Sequence, residues 1–374
     1  MTTSEFDSFR PPERRRRRGG AHAGRRKGGG RRGADGSREM AMVPEAEFSS
    51  YYGRPIVKPA PWEDEVAAYL FLGGLGAGSA LLAAGAQLTG NVTLRRNTRF
   101  AALASAGLGT VALIRDLGRP ERFLHMLRTV KLTSPMSVGS WILVTFSTGA
   151  GTAAAGEVDR LTGHRVPLGS LRGAVEFAER AGGMLAGFLA PGLAAYTAVL
   201  LTNTATPTWS GAREHLPFVF AGSASLAAGG LAMITTGVDA AGPARRLALA
   251  GTSVELLAAE VMLRSMDETE AEPLREGQAG RMLAVSKGLA VAGGAGTLLA
   301  GWAASGGRRR RWSRAIAVAS GAALVASSAL NRLGVFRAGM VSANDPRYTV
   351  APQKRRLARR RRRGETGDSI TTSE

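Results

Sequence analysis

The sequence predicts an all-α, polytopic membrane protein, with eight transmembrane helices in a compact bundle and disordered, arginine-rich termini. Three observations support this fold class. A long body rich in Ala, Gly, Leu and Val lies between two polar tails. The body divides into apolar runs close to the roughly 20 residues that a helix needs to cross a bilayer. These runs lack the polar face that the surface helix of a soluble protein shows.

Charged residues divide the chain into three regions. The formal charge of the whole chain is +20, and arginine runs such as Arg14–Arg18 and Arg359–Arg363 lie in the tails. The tails contain too few apolar residues to bury a core. We therefore predict disordered basic tails at 1–60 and 345–374, and an eight-helix membrane domain at 61–344.

The apolar body contains eight segments of suitable length. Ala and Gly replace Leu and Ile in several of them, so a soluble, alanine-rich helical repeat protein is the alternative. Small residues also let helix backbones approach closely in lipid, as expected at Gly74 and Gly78. The predicted segments are 66–88, 99–118, 138–156, 184–205, 216–238, 246–265, 282–304 and 314–334.

An even number of spans sorts the loops between two sides of the membrane. One side, here called the motif face, receives Trp62–Glu65, Asp116–Ser137, Thr206–His215, the acidic loop 266–280 and Arg337–Arg347. The other side is basic and chemically plainer, so we predict that function lies on the motif face. The arginine runs in the tails favour cytoplasmic termini, because moving them outward opposes the membrane potential. We expect a multi-pass protein of the plasma membrane.

Cysteine and histidine content limits the redox chemistry of the chain itself. The chain has no Cys, which excludes Cys-ligated zinc and an iron–sulfur cluster held by its own residues. Haem between helices usually needs facing histidines, but His22, His125, His164 and His215 lie in a tail, in loops and at a helix mouth. We predict no haem and no metal.

The arginine-rich tails raise the question of nucleic-acid binding. Basic runs bind phosphate without sequence specificity, but these runs lack the interleaved aromatic residues of a stacking platform. Anionic membrane lipid lies closer to a tethered tail. We therefore predict membrane lipid, and no specific nucleic acid, as the partner of the tails. For the tails themselves we favour the simpler interpretation that their charge only solubilises them and sets topology.

Eight short motifs carry a family resemblance across residues 60–350. They are Tyr69–Gly78, Asp116–Phe123, Thr133–Trp141, Tyr196–Leu201, Pro207–Trp209, Leu216–Phe218, Phe336–Gly339 and Ser342–Pro346. In this order they resemble the NrfD/PsrC family, the membrane subunits of molybdopterin oxidoreductases such as polysulfide reductase. The resemblance implies a haem-free bundle that passes electrons between membrane quinone, either menaquinone or ubiquinone, and an iron–sulfur, ferredoxin-like subunit. A molybdopterin catalytic subunit completes the complex, outside which this chain is not an active enzyme.

The resemblance also implies a quinone pocket at the partner-side ends of the first four helices. Tyr69 takes the hydrogen-bonding place of the first helix, with Glu65 one turn earlier, and Asp116 takes the carboxylate place of the second. Tyr196 falls near the tyrosine of the fourth helix. These residue types suit quinol oxidation, which releases two electrons and two protons and needs partners for two oxygens. Ordinary anchoring at the membrane interface is the alternative role for the tyrosines.

A charged stretch follows the second segment. Arg115, Arg119, Arg122 and His125 are candidates for partner docking or for support of the site. A nearby cation lowers the pKa of a carboxylic acid, so we expect Arg115 and Arg119 to hold Asp116 ionised. Alternatively, Asp116 and Arg119 only lock the connection after the second helix.

Two glutamates lie inside the sixth segment, where charge is unfavourable and usually functional. Glu255 and Glu260 are five positions apart, so we expect them on different helical faces, and we assign both to a candidate proton path. Glu260 is also expected to pair with Lys287 across a helical hairpin. These residues suit a rival function, a helical transporter or proton-translocating subunit without electron transfer. A purely structural anchor for partner subunits is the third possibility.

Overall fold

The structure is a computed structural model that describes residues 55–363, except for 118, 120, 166, 168 and 306–309. All regular elements in this part of the chain are helical. The predicted disorder of 1–60 lies outside the described residues up to 54. The helices are α1 (Asp64–Leu88), α2 (Val92–Asp116), α3 (Glu121–Met126), α4 (Pro135–Leu161), α5 (Arg172–Thr202), α6 (Pro207–Gly211), α7 (Leu216–Thr235), α8 (Gly242–Ser265), α9 (Glu268–Arg275), α10 (Gly277–Ser305), α11 (Arg310–Asn344) and α12 (Arg347–Arg362).

Each predicted segment overlaps one long helix, namely α1, α2, α4, α5, α7, α8, α10 or α11. In the described part of the chain, five of these helices are long and apolar enough to cross a membrane: α1, α5, α7, α10 and α11. The chain is therefore a multi-pass membrane protein. Helices α2, α4 and α8 are less apolar, so the count of eight spans stays a prediction.

Helix α1 lies at the centre of the bundle, in contact with α2, α5, α7 and α11. Of its most apolar stretch, 78% is buried, a larger share than in the other four apolar helices. Glycines bring the neighbouring backbones close: a Cβ on Gly78 would lie 2.6 Å from the carbonyl oxygen of Ala224 in α7, and one on Gly76 3.4 Å from that of Ala102 in α2. Small residues thus allow the close packing that the sequence predicts.

The face opposite the motif face holds a buried ionic network, so the expectation that it is chemically plainer was wrong. Arg99 of α2 is 2% exposed and donates to Glu157 of α4 at 2.9 Å and to Glu179 of α5. Arg160 contacts both carboxylates as well, and Arg95 lies 2.7 Å from Glu157. Buried charges need such partners, and these are supplied by three different helices. Sequence reading treated these charges as loop residues and therefore missed the network.

Helix α12 lies within 345–374, the stretch predicted to be disordered, and residues 364–374 lie outside the described part of the chain. Arg355 of α12 lies 2.7 Å from Asp267, and Arg356 pairs with Glu270. Asp267 caps α9, which carries further glutamates. A basic segment that cannot bury a core alone is thus held by an acidic helix that offsets its charge.

Loss of the Arg99 side chain from the buried ionic network should greatly lower the stability of the protein. Arg99→Leu leaves Glu157 and Glu179 buried with fewer partners, so we expect the free energy of unfolding to fall by about 3–5 kcal/mol. Thermal unfolding of the detergent-solubilised chain, followed by circular dichroism, measures this. Adding Glu157→Gln and Glu179→Gln to Arg99→Leu should restore much of the lost free energy of unfolding. An unchanged unfolding midpoint in Arg99→Leu alone would contradict the role given to the ionic network.

The pairing of α12 with α9 predicts a pH-dependent loss of stability. Glu270 is 7% exposed, and burial raises the pKa of its carboxyl group although Arg356 opposes the shift. Arg356→Glu removes that opposing charge and adds a like one, which should raise the pKa of Glu270 further. A raised folded-state pKa gives stability at low pH that is lost as pH rises through it.

We therefore expect the unfolding midpoint of Arg356→Glu to be lowest at neutral pH and to recover on mild acidification. Arg359→Glu, at an exposed position of the same helix, is the matched control and should change little. Equal effects of the two variants at every pH would show that Arg356 does not act through Glu270.

Candidate functional site

Two tyrosines meet inside the bundle. The hydroxyl groups of Tyr69 in α1 and Tyr196 in α5 hydrogen-bond to each other. Their ring centroids are 6.5 Å apart and the rings are tilted by 59°. Tyr69 is only 2% exposed. The structure thus brings together two residues that the sequence placed at one site although 127 positions separate them.

Glycines on two further helices make room for the tyrosine rings. A Cβ on Gly109 of α2 would lie 3.3 Å from the Tyr69 ring, and a Cβ on Gly139 of α4 would overlap the Tyr196 ring. Helices α1, α2, α4 and α5 therefore all shape the surroundings of the tyrosine pair.

The two candidate carboxylates lie at the motif-face ends of their helices. Asp116 is the last residue of α2, and its Oδ1 accepts a hydrogen bond from the backbone N–H of Glu63 at 3.4 Å. Glu65 lies in the first turn of α1, one turn before Tyr69. The contacts described for both carboxylates do not include a tyrosine hydroxyl. They occupy the rim of the site, not its buried part.

The charged stretch after α2 is exposed. Arg115, Arg119, Arg122 and His125 all present solvent-accessible side chains. Among the described residues, Asp116 forms no ion pair with Arg115 or Arg119, so the pairing expected from the sequence is not found. The four residues remain candidates for docking a partner.

Trp209 of α6 links the motif-bearing segments of this face. It is fully buried, stacks on Trp62 at 5.9 Å between centroids, and lies 5.8 Å from the Phe336 ring. Its indole N–H donates to the carbonyl oxygen of Val335 at 2.9 Å. The start of α1, the loop before α7 and the end of α11 therefore share one face, as the parity of the helices predicted.

Sequence reasoning missed Arg332, although a charged residue inside an apolar segment was the signal that could have found it. Arg332 of α11 is 0% exposed. Its Nη1 donates to the carbonyl oxygen of Leu70 at 2.8 Å, and its Nη2 to that of Phe220 at 2.6 Å. Nη1 also lies 3.5 Å from the hydroxyl of Thr197.

These contacts join Arg332 to both helices that carry the tyrosine pair. Leu70 follows Tyr69 in α1, and Thr197 follows Tyr196 in α5. One guanidinium group therefore fixes the backbone of one tyrosine-bearing helix and touches the other. It also lies 4.2 Å above the Phe220 ring of α7, which adds a cation–π contact.

Comparison with known families identifies the chain. The sequence profile described as polysulphide reductase, NrfD matches residues 56–264, more than half of the 374 residues. The chain belongs to the NrfD family. The matched part of this NrfD protein contains both tyrosines and all four helices around them, whereas Arg332 and α12 lie beyond it. No curated protein gives a significant match.

The two predicted proton-path residues of the NrfD chain have different environments. Glu255 is 2% exposed, and its Oε1 accepts a hydrogen bond from Asn331 Nδ2 at 3.1 Å. Glu260 is partly exposed and forms ion pairs with Arg264 at 2.9 Å and Lys287 at 3.7 Å. The predicted Glu260–Lys287 pair is confirmed.

Metal-ligating side chains do not cluster in the described part of the NrfD chain. No group of three or more His, Asp or Glu residues there is arranged to hold a metal ion. The chemistry that the site offers comes from hydroxyl groups, carboxylates and a guanidinium group.

Substitution of Gly139, which lies against the Tyr196 ring, directly tests the packing around the tyrosine pair. Gly139→Ala puts a methyl group where the Tyr196 ring lies, so we expect the ring to move and the unfolding midpoint to fall. Gly151→Ala on the same helix is the matched control, because a Cβ there meets no atom within 4 Å. Alanine is the better helix former by about 1 kcal/mol, so the control should be neutral or stabilising. Equal behaviour of the two variants in thermal unfolding would contradict the packing described for Tyr196.

Proposed function

We propose that the chain is the quinone-reactive membrane subunit of a multi-subunit oxidoreductase. Membership of the NrfD family supports its place as a membrane subunit of a molybdopterin oxidoreductase. The observation that carries the quinone assignment is the hydrogen-bonded pair of buried Tyr69 and partly buried Tyr196. The pair lies among the first four long helices, which the NrfD profile covers entirely.

The residues of the pair have the properties that quinol oxidation requires. A tyrosine hydroxyl both donates and accepts hydrogen bonds, so Tyr69 and Tyr196 can hold one oxygen of the ring and take part in its proton exchange. Quinone, when bound, supplies the two-electron chemistry. In this proposal Glu65 and Asp116, at the motif-face ends of α1 and α2, pass protons on to the aqueous phase. Arg332 keeps the helices that carry the two tyrosines in position.

Electrons leave or reach the site through partner subunits in this proposal. Arg115, Arg119, Arg122 and His125 form an exposed, mostly basic surface beside the rim. Such a surface suits an acidic, ferredoxin-like iron–sulfur subunit, because complementary charge steers and orients association. A molybdopterin subunit then carries the substrate chemistry. We further propose plasma-membrane localisation with cytoplasmic termini, and neither haem nor metal in this chain.

Removal of single tyrosine hydroxyls tests the quinone assignment. Tyr69→Phe and Tyr196→Phe should each lower quinol-dependent turnover of the assembled complex by about ten- to a hundredfold, because a hydrogen bond and a proton-transfer group are lost. Tyr348→Phe, the same change in α12, is the control and should leave turnover unchanged. Full turnover of both site variants, with intact assembly, would favour the purely structural anchor.

A proton-translocating membrane subunit without electron transfer is the second candidate function, and buried Glu255 favours it. Mild detergent isolation followed by mass spectrometry separates the two. Co-purification of a cysteine-rich iron–sulfur protein, a molybdopterin subunit and quinone supports the electron-transfer function. Repeated isolation of the chain alone, without quinone, supports the rival.

A further inference from the structure

A cavity of about 250 Å³ lies among α7, α8, α9, α10 and α11. Neither Tyr69 nor Tyr196 is among the residues that line it, so it is separate from the tyrosine site. Its wall is mostly apolar and includes Val219, Leu256 and Val335. A cavity of about 150 Å³ already accepts benzene, so this one has room for several methylene groups of a hydrocarbon chain.

The ion pair of Glu260 and Lys287 lies at the opening of this cavity. Both side chains line the cavity, yet they are 44% and 65% exposed. Glu255 lines it too but is only 2% exposed. The two glutamates therefore share one cavity, although their spacing predicted different helical faces. The reason is that the cavity follows α8 for about two turns and so reaches both residues.

The surface around the opening faces the hydrocarbon of the membrane. Of the most apolar stretch of α10, 28% is buried, the smallest share among the five apolar helices. Val285 and Val291 of α10 are exposed, as are Leu257 and Val261 of α8. Lipid tails cover such apolar surface on a membrane protein. A molecule therefore enters this opening from the lipid and not from water.

Cations outnumber carboxylates among the described residues at the opening. Glu260 is shared by Arg264 at 2.9 Å and Lys287 at 3.7 Å. Arg275 also lines the cavity, and it donates to the carbonyl oxygen of Leu263. Three cations and one carboxylate leave an excess of positive charge. Lys287 lies about three turns from the motif-face end of α10, so its flexible side chain can extend toward the headgroup layer.

We propose that this cavity binds one acyl chain of an anionic phospholipid, whose phosphate group contacts Lys287 and Arg275. The apolar wall accepts the chain, and the two cations supply charge-assisted hydrogen bonds to the phosphate. The excess positive charge selects against phosphatidylcholine, because its choline group adds a further cation. The proposal goes beyond the quinone assignment and does not rest on it, since it concerns other helices and needs no electron transfer.

The affinity of the full chain for two defined lipids tests the proposal. Dioleoyl phosphatidylglycerol and dioleoyl phosphatidylcholine are added to the chain in mild detergent, and bound lipid is measured by native mass spectrometry. We expect phosphatidylglycerol to bind at least about tenfold more tightly, as two charge-assisted contacts allow. The double variant Lys287→Gln and Arg275→Gln should lose most of this preference. Arg246→Gln, at an exposed position near the other end of α8, is the matched control and should keep it.

A further variant tests the cavity itself without changing its charge. Ala284→Phe adds a ring at an exposed position of the cavity wall, where the core is not disturbed, and should abolish the tight binding of phosphatidylglycerol. Thermal unfolding without added lipid establishes that each variant is folded. The proposal is overturned if the two lipids bind equally well, or if the double variant binds like Arg246→Gln. It is equally overturned if Ala284→Phe retains the lipid, or if the cavity retains quinone and excludes phospholipid.

Discussion

The buried guanidinium group of Arg332 is the interaction on which the central part of the bundle depends. It hydrogen-bonds backbone carbonyl groups in α1 and α7 and lies beside a hydroxyl group of α5. Gly74 makes this possible, because a Cβ at that position would lie 2.6 Å from the guanidinium group. A charge that is unfavourable in an apolar interior is thus balanced by carbonyl dipoles from two helices, α1 and α7. With the contact to Thr197, these hydrogen bonds join the two tyrosine-bearing helices.

Much of the fold follows from local sequence, because apolar length and small residues act within one segment. The eight predicted segments lie in long helices, and the glycines of α1 pack as expected. Helix ends were less predictable: α2 and α5 begin well before their predicted segments. The extra turns carry Arg95 and Glu179, which a hydropathy reading treats as solvent-exposed. Only tertiary pairing allows such charges to continue a buried helix.

In the candidate site too, sequence motifs identified some residues, whereas other contacts are made only in the folded structure. Tyr69 and Tyr196 were found because they belong to ordered motifs, and family membership follows from the matched residues that contain them. The pairing expected for Asp116 was not found, because adjacency in sequence does not direct side chains at a helix end toward each other. Arg332 stands out in the sequence as a charge inside an apolar segment, but its contacts could not be predicted, because its partners include backbone carbonyl groups, which leave no pattern in the sequence.

The ion pairs between α9 and α12 join segments that are synthesised far apart in time. Asp267 and Glu270 leave the ribosome before Arg355 and Arg356, their partners in α12. Because synthesis proceeds from the N-terminus, the two carboxylates lack these arginine partners until α12 has been made. A chain that stops before α12 therefore presents an acidic helix whose charge α12 otherwise offsets.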